Sequence, residues 1–227
     1  MYLRAMFAAF RIAFLSVFLS LPAMAQEAWF PIKADDGSVI ANHRVPNDME
    51  SDIEKLPGVV VVGNPKGDVT IAEFYDLNCP FCRKAAADVG ELLRTDKELK
   101  VVLVPFPVLG VPSIQAGRVE LVLAKLATPK QFYEFHRKIY AGRGVIDGNR
   151  ALAVAKELGF SPDKIVALAN DDSITETMKS HVRLGDELAL AATPSFVIKG
   201  VAILGSPGRK SLQRIAESIR RCDQLVC

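Results

Sequence analysis

Apolar positions along the chain change period from two to about 3.6 and back, and those changes mark out a mixed fold. Residues 59–62 are a short β-branched run, and Asn64-Pro65-Lys66-Gly67-Asp68 is a turn. Residues 69–75 read as a strand buried on both faces, as in the centre of a parallel sheet. Val69, Ile71, Glu73 and Tyr75 share one face of it, which places an acid in an apolar row. A helix follows at once, with Pro80 in its first turn and Phe81, Ala85, Val89 and Leu92 along one stripe. Residues 100–104 give the next strand and close a right-handed β-α-β unit.

The helical period then runs from 113 to about 191, with Ser113, Thr128-Pro129, Asp147 and Ser161-Pro162 as helix starts and room for four or five helices. Strands return at 195–198 and 201–204 around the two-residue turn Lys199-Gly200. Pro207-Gly208 leads into a last amphipathic helix bearing Leu212, Ile215, Ala216 and Ile219. The order predicts one α/β domain over 59–227, its sheet interrupted by an inserted helical layer at about 112–191.

Residues 26–58 are irregular by comparison. Asp35-Asp36-Gly37-Ser38 marks a turn, and Asn47 is placed to cap a short helix that Pro57-Gly58 ends. A linker, a docking arm or a small association element would each fit. Trp29, Phe30 and Ile32 form one apolar cluster and Val39-Ile40 another, and both should be buried on the domain or between subunits.

The first 25 residues stand apart. Arg4 and Arg11 are their only charges, residues 12–21 are largely apolar, and Ala23-Met24-Ala25 follows. This is the pattern of a secretory signal peptide cleaved between Ala25 and Gln26; the apolar run is too short to span a bilayer comfortably. Of 28 basic residues two lie in this leader, which leaves 26 against 26 acidic ones. A formally neutral chain gives no footing for nucleic acid or an anionic membrane. Export to an oxidising compartment also means that the four cysteines, 79, 82, 222 and 227, should be paired or catalytic.

Cys79-Pro80-Phe81-Cys82 opens the helix after the buried strand. There Cys79 meets unpaired backbone N–H groups and the positive end of the helix dipole, both of which favour the nucleophilic thiolate. Cys82 lies one turn inward, in range to attack a mixed disulfide on Cys79. The competing reading is half of a zinc site, with Cys222 and Cys227 as the other half. Structural zinc pairs sit on tight knuckles, however, and His43, His136 and His181 have no ligand spacing. No metal or other cofactor is expected. Glu73, six residues before Cys79, would exchange a proton with Cys82 if buried, or reach solvent if at the strand edge. Pro194 opens a strand and is either trans or cis; the cis form would expose the preceding backbone to an extended peptide.

Glu73-Phe74-Tyr75-Asp76, Cys79-Pro80-Phe81-Cys82, a helical insertion and Thr193-Pro194-Ser195-Phe196 together resemble the DsbA-type branch of the thioredoxin superfamily, over residues 59–221. The resemblance implies a thioredoxin-like fold with an inserted helical domain, in a bacterial envelope protein that makes, breaks or reshuffles disulfides. It implies Cys79 as attacking thiol, Cys82 as buried resolver, Glu73 as buried acid and Pro194 as a cis proline beside the sulfurs. Thr193 would offer its backbone to substrate. Pro80 and Phe81 would tune the potential, but Phe81 stands where the best-known oxidases carry a thiolate-holding His. Thr193 looks more like the isomerases and related multimeric members.

The expected partners are reduced or misfolded exported proteins and a membrane redox protein that recycles the pair, with no nucleic acid and an open oligomeric state. An isomerase or reductase acting as a multimer, or a non-catalytic holdase or metal carrier, is the alternative. Cys222 and Cys227 would bond if the last helix ends near Arg221 and the tail folds back; otherwise they are free or intermolecular thiols.

Overall fold

The computed structural model describes residues 29–227; the leader at 1–25 lies outside the described residues. The elements run β1 (Asn42–Arg44), α1 (Asn47–Ile53), β2 (Val60–Gly63), β3 (Val69–Tyr75), α2 (Pro80–Thr95) and β4 (Leu99–Pro105). Five helices follow: α3 (Val111–Leu126), α4 (Pro129–Ala141), α5 (Gly148–Glu157), α6 (Pro162–Ala169) and α7 (Asp172–Glu187). The hairpin β5 (Ser195–Ile198) and β6 (Val201–Leu204) and the helix α8 (Arg209–Cys222) complete the chain.

The sheet order is β1-β6-β5-β3-β4-β2, so β3 lies inside the sheet. It pairs parallel with β4, Glu73 opposite Leu103, and antiparallel with β5, Glu73 opposite Phe196. Both faces of β3 are covered, which accounts for its near-continuous apolar run. Val69, Ile71 and Tyr75 pack with Ala85 and Val89 of α2 and with Leu212 and Ile215 of α8. Ala72 and Phe74 face the other way, toward Leu184 of α7 and Ile53 of α1. At the Lys199-Gly200 turn both residues have positive φ, 46° and 71°, the geometry that matches strand twist in a tight hairpin.

Thr128, Asp147 and Ser161 cap α4, α5 and α6 through their side chains, as their sequence positions predict. Other boundaries differ. Ser113 caps nothing: α3 begins at Val111 after Gly110, whose φ is 106°, and Ser113 is buried with its hydroxyl turned to Asp76. Asp171 is the cap of α7, and Pro46 rather than Asn47 precedes α1. Phe81 is 65 % exposed, because the buried face of α2 runs through Cys82, Ala85, Ala86, Val89 and Leu92 and is centred about 75° around the helix from it.

The segment before β2 is built into this sheet. β1 pairs with β6, Ile32 is 2 % exposed in the core, and Phe30 and Ile40 pack against it. Asn42 is buried and fastens the segment by exchanging hydrogen bonds with the backbone of Phe30. Trp29 and Val39 are not buried on the domain, at 63 % and 60 % exposure.

Candidate active site

The site forms where β3 ends and α2 begins. Asp76 follows the last residue of β3 and its carbonyl accepts the Cys79 N–H at 3.1 Å, tightening the chain into the turn that starts α2. Cys79 is the N-cap residue, extended at φ −76°, and Pro80 takes the first helical position, where a missing N–H costs no bond. The cysteine therefore sits at the end of a 16-residue helix whose first N–H groups point toward its sulfur.

Both sulfurs are present as free thiols, and their environments push them apart. The thiol of Cys79 is lowered to about 6, first by a hydrogen bond from Cys82, then by the Thr193 side chain and the backbone N–H groups of Cys82 and Phe81, against an opposing effect of burial. Cys82 is fully buried, and desolvation pushes it far above the ordinary thiol range, with the Cys79 hydrogen bond adding to the rise. One member is thus nucleophilic near neutral pH and the other is held protonated until its partner reacts. Cys79 is less open than its helix-end position predicts, at 4 % exposure. The Thr193 loop lies over it, with the Cys79 thiol donating to the Thr193 carbonyl oxygen at 3.1 Å.

Glu73 is completely buried and neither carboxyl oxygen has a hydrogen-bond partner. Burial, followed by the charge of Asp88, raises it to about 8, so it is protonated at neutral pH. Its charge is among the causes that raise Cys82, which places the two groups within electrostatic reach. Of the two sequence readings, a strand-edge acid reaching solvent and a buried acid near the pair, the structure shows the second geometry.

The Thr193–Pro194 peptide bond is cis. Ser195 locks the loop by donating its hydroxyl to the Ala192 carbonyl at 2.7 Å, and Gly205 donates its N–H to the Pro194 carbonyl at 2.9 Å. Pairing of β3 with β5, Phe74 opposite Ser195, brings this loop to the end of the sheet where α2 starts.

Cys222 and Cys227 are bonded to each other, far along the chain from the site. Asp223 ends α8 in the left-handed conformation, at φ 61°, which reverses the tail and buries Leu225. The three histidines serve the fold: His43 and His181 contact backbone carbonyls, and His136 is buried among Tyr75, Tyr133 and Tyr140. Among the described residues no group of three or more His, Cys, Asp or Glu side chains is placed to hold a metal ion.

Sequence reasoning gave no role to Asp76, quoted there only as the end of the Glu73–Asp76 motif, and missed Asn78. Their side chains reach out to α3 and to the loop after α4, and the only local signal was a pair of turn-forming polar residues just ahead of Cys79.

Comparison with known proteins agrees with this fold. The family model of the DSBA-like thioredoxin domain matches residues 70–220. A thioredoxin-like oxidoreductase from Silicibacter pomeroyi DSS-3 is similar at TM-score 0.70 and 28 % identity, over 78 % of this chain and 99 % of that one. A periplasmic thioredoxin-like protein from Salmonella enterica serovar Typhimurium has TM-score 0.68 and 20 % identity, over 78 % and 98 % of the two chains. The thiol-disulfide exchange protein alpha-DsbA2 from Wolbachia pipientis has TM-score 0.65 and 21 % identity, over 76 % and 96 %. No curated protein matches the chain in sequence.

Proposed function

The chain belongs to the DSBA-like thioredoxin domain family and is a thiol:disulfide oxidoreductase, and from that premise we propose that it exchanges disulfides with exported proteins through Cys79 and Cys82. The observation that carries the assignment of roles is the opposed setting of the two thiols, one lowered to about 6 at a helix N-terminus and one buried and raised.

In the oxidising direction a substrate thiolate attacks Sγ of Cys79 in the Cys79–Cys82 disulfide. The S–S bond breaks, its electron pair goes to Cys82, and Cys82 takes a proton from Glu73. A second substrate thiolate then attacks the substrate sulfur of the mixed disulfide and expels Cys79, leaving an oxidised substrate and a reduced enzyme pair. In the reducing direction the Cys79 thiolate attacks a substrate disulfide; Cys82 gives its proton to Glu73 and attacks Cys79, releasing the substrate dithiol. Glu73 suits both directions because a raised carboxyl is protonated before the disulfide opens, yet titrates close enough to neutrality to accept a proton in the reverse step. Thr193, whose carbonyl faces the Cys79 sulfur, aligns the backbone of a bound extended segment.

The leader pattern at 1–25 supports a periplasmic location, as does the periplasmic relative from Salmonella. A redox partner, placed here in the membrane, would recycle the pair, since each net oxidation or reduction of a substrate changes the redox state of the enzyme. The deciding experiment is a redox titration of Cys79 and Cys82 run beside turnover on a reduced, unfolded protein. A two-electron transition with multiple turnovers is expected. A pair that never cycles, or that holds stoichiometric metal, would end this reading.

A further inference from the structure

A groove of about 540 Å³ runs between α2 and α4, and neither sulfur of the active pair lines it. It is bordered by two helix faces. On α2, Arg83, Ala87, Gly90 and Arg94 stand at i, i+4, i+7 and i+11, so one face sets two small residues between two arginines. On α4, Tyr133, Arg137 and Tyr140 stand at i, i+4 and i+7 and line the other side. The charges are unequal. Three guanidinium groups line the groove against one carboxylate, Glu91, which Arg94 already engages through two hydrogen bonds at 2.8 and 2.6 Å. The excess is positive here, although the chain without its leader is formally neutral.

The two remaining arginines are differently placed. Arg83 is fixed: its Nη1 donates to the carbonyls of Tyr140 and Gly142, and its guanidinium lies 5.6 Å from the centre of the Tyr140 ring. Arg137, exposed between the two tyrosines, enters no ion pair among the described residues. Tyr133 adds a donor without an acceptor. Its ring stacks on the buried His136, and its hydroxyl is buried at the inner wall with no hydrogen-bond partner. The hydroxyl lies over Gly90, where an added Cβ would come within 3.1 Å of it. Burial pushes this phenol up and the positive charge of Arg137 works against the rise, so the guanidinium is within electrostatic reach of the hydroxyl. An unpaired buried donor is costly, and an acceptor in the groove would offset that cost.

Guanidinium forks match carboxylate and phosphate oxygens. A concave site of this volume suits a small molecule, whereas a protein partner docks on a broad surface of about 800 Å². Arg83 and Arg94 are about 16 Å apart along α2, so a single small ion cannot meet both ends of the groove. We propose that the groove between α2 and α4 binds a small organic anion carrying two or more carboxylate or phosphate groups, held by Arg83 and Arg137 with the Tyr133 hydroxyl donating to it. The site lies beside the thiol pair and takes no part in exchange. Arg83 donates its backbone N–H to the Cys79 carbonyl, one helical turn away, and its side chain points along the groove. The proposal therefore stands whichever way the disulfide chemistry runs.

Calorimetric titration of the full chain with citrate, with pyrophosphate and with acetate tests this. Citrate or pyrophosphate should bind one to one and about tenfold more tightly than acetate, and the tighter of the two identifies carboxylate or phosphate as the preferred group. Arg137→Ala should weaken that binding about tenfold, the equivalent of one charge-assisted hydrogen bond. Tyr133→Phe removes a hydroxyl that has no partner in the fold, so it should keep its Tm and bind about threefold less tightly. Lys84→Ala removes a positive charge from the same helix outside the groove and should leave binding as it was. Equal affinity for all three anions, or none for any, would overturn the proposal. Unchanged binding in Arg137→Ala or in Tyr133→Phe would do the same, as would a loss in Lys84→Ala as large as in Arg137→Ala.

Discussion

The thiol of Cys79 and the carbonyl oxygen of Thr193 lie 3.1 Å apart across 114 positions of sequence. The contact exists because β5 pairs antiparallel with β3, so the residue before the cis proline lands where α2 begins. It sets a limit on how the sulfur is reached. A substrate sulfur must approach past the Thr193 loop, and the nucleophile is activated in a nearly closed setting rather than in open water.

The first prediction concerns the donor that stabilises the Cys79 thiolate most. Cys82 is the leading cause of the lowered value of about 6. Cys82→Ala should therefore move the alkylation midpoint of Cys79 upward, toward the free-thiol value of about 8.5. Cys82→Ser keeps a donor and should move it less, while trapping mixed disulfides with substrate. Alkylation rates measured against pH would check this, and equal midpoints in all three proteins would refute the hydrogen-bond account.

Phe81 is exposed beside Cys79 and neither donates a hydrogen bond nor carries charge. Phe81→His should lower the Cys79 thiol further and make the disulfide more oxidising. The gain is limited to about 30 mV for each pKa unit, the equivalent of about 1.4 kcal/mol in a two-electron couple. Stability should change by no more than about 0.5 kcal/mol, as is usual for a surface substitution. Equilibration with glutathione buffers reads the potential, and an unchanged value would assign the tuning wholly to the helix end and Cys82.

Glu73 gives a pH dependence with a definite sign. Its folded value of about 8 lies above the unfolded carboxyl value, so the folded state binds the extra proton between them. Stability should fall as pH rises from about 4.5 to about 8 and level off above, for a total loss on the order of 5 kcal/mol. Glu73→Gln should lack that slope and be the more stable protein at pH 8. The same variant should slow the Cys82 step in single-turnover measurements while sparing attack by Cys79. Superimposable denaturation curves across this pH range would show that the carboxyl does not titrate as a buried group.

The bond between Cys222 and Cys227 closes a short loop that holds Leu225 in the core. Replacing both cysteines by Ala should cost about 2 kcal/mol by the chain-entropy relation. For a chain of this size that is a fall of about 4–8 °C in Tm. Redox cycling of Cys79 and Cys82 should continue, since α2 and β3 make no use of the tail. Loss of cycling together with stability would connect the two sulfur pairs.

Local chemistry carried much of the site into the sequence. The strand at 69–75, the helix opened by Pro80 and the hairpin around Lys199-Gly200 are all set by neighbours within a few residues, through two-face burial, a fixed proline φ and a turn that needs positive φ. The same short range places Cys79 at a helix N-terminus and Glu73 on an apolar face. The exposure of Cys79 could not be read in this way, because the loop that covers it arrives from residue 193. Nor could the place of residues 29–58, since an edge strand of three residues has too weak a pattern to show that it will pair with β6. Ser113 was a plausible cap by composition and is instead a ligand of Asp76, a choice made by a partner 37 positions away. The sequence by itself determined which residues could do the chemistry, because acidity at a helix end and burial in a strand are local properties. Only the tertiary structure decided how that chemistry is enclosed and what is presented beside it, because hydrogen bonds to a buried carboxylate and pairings across a sheet join segments that no periodicity links.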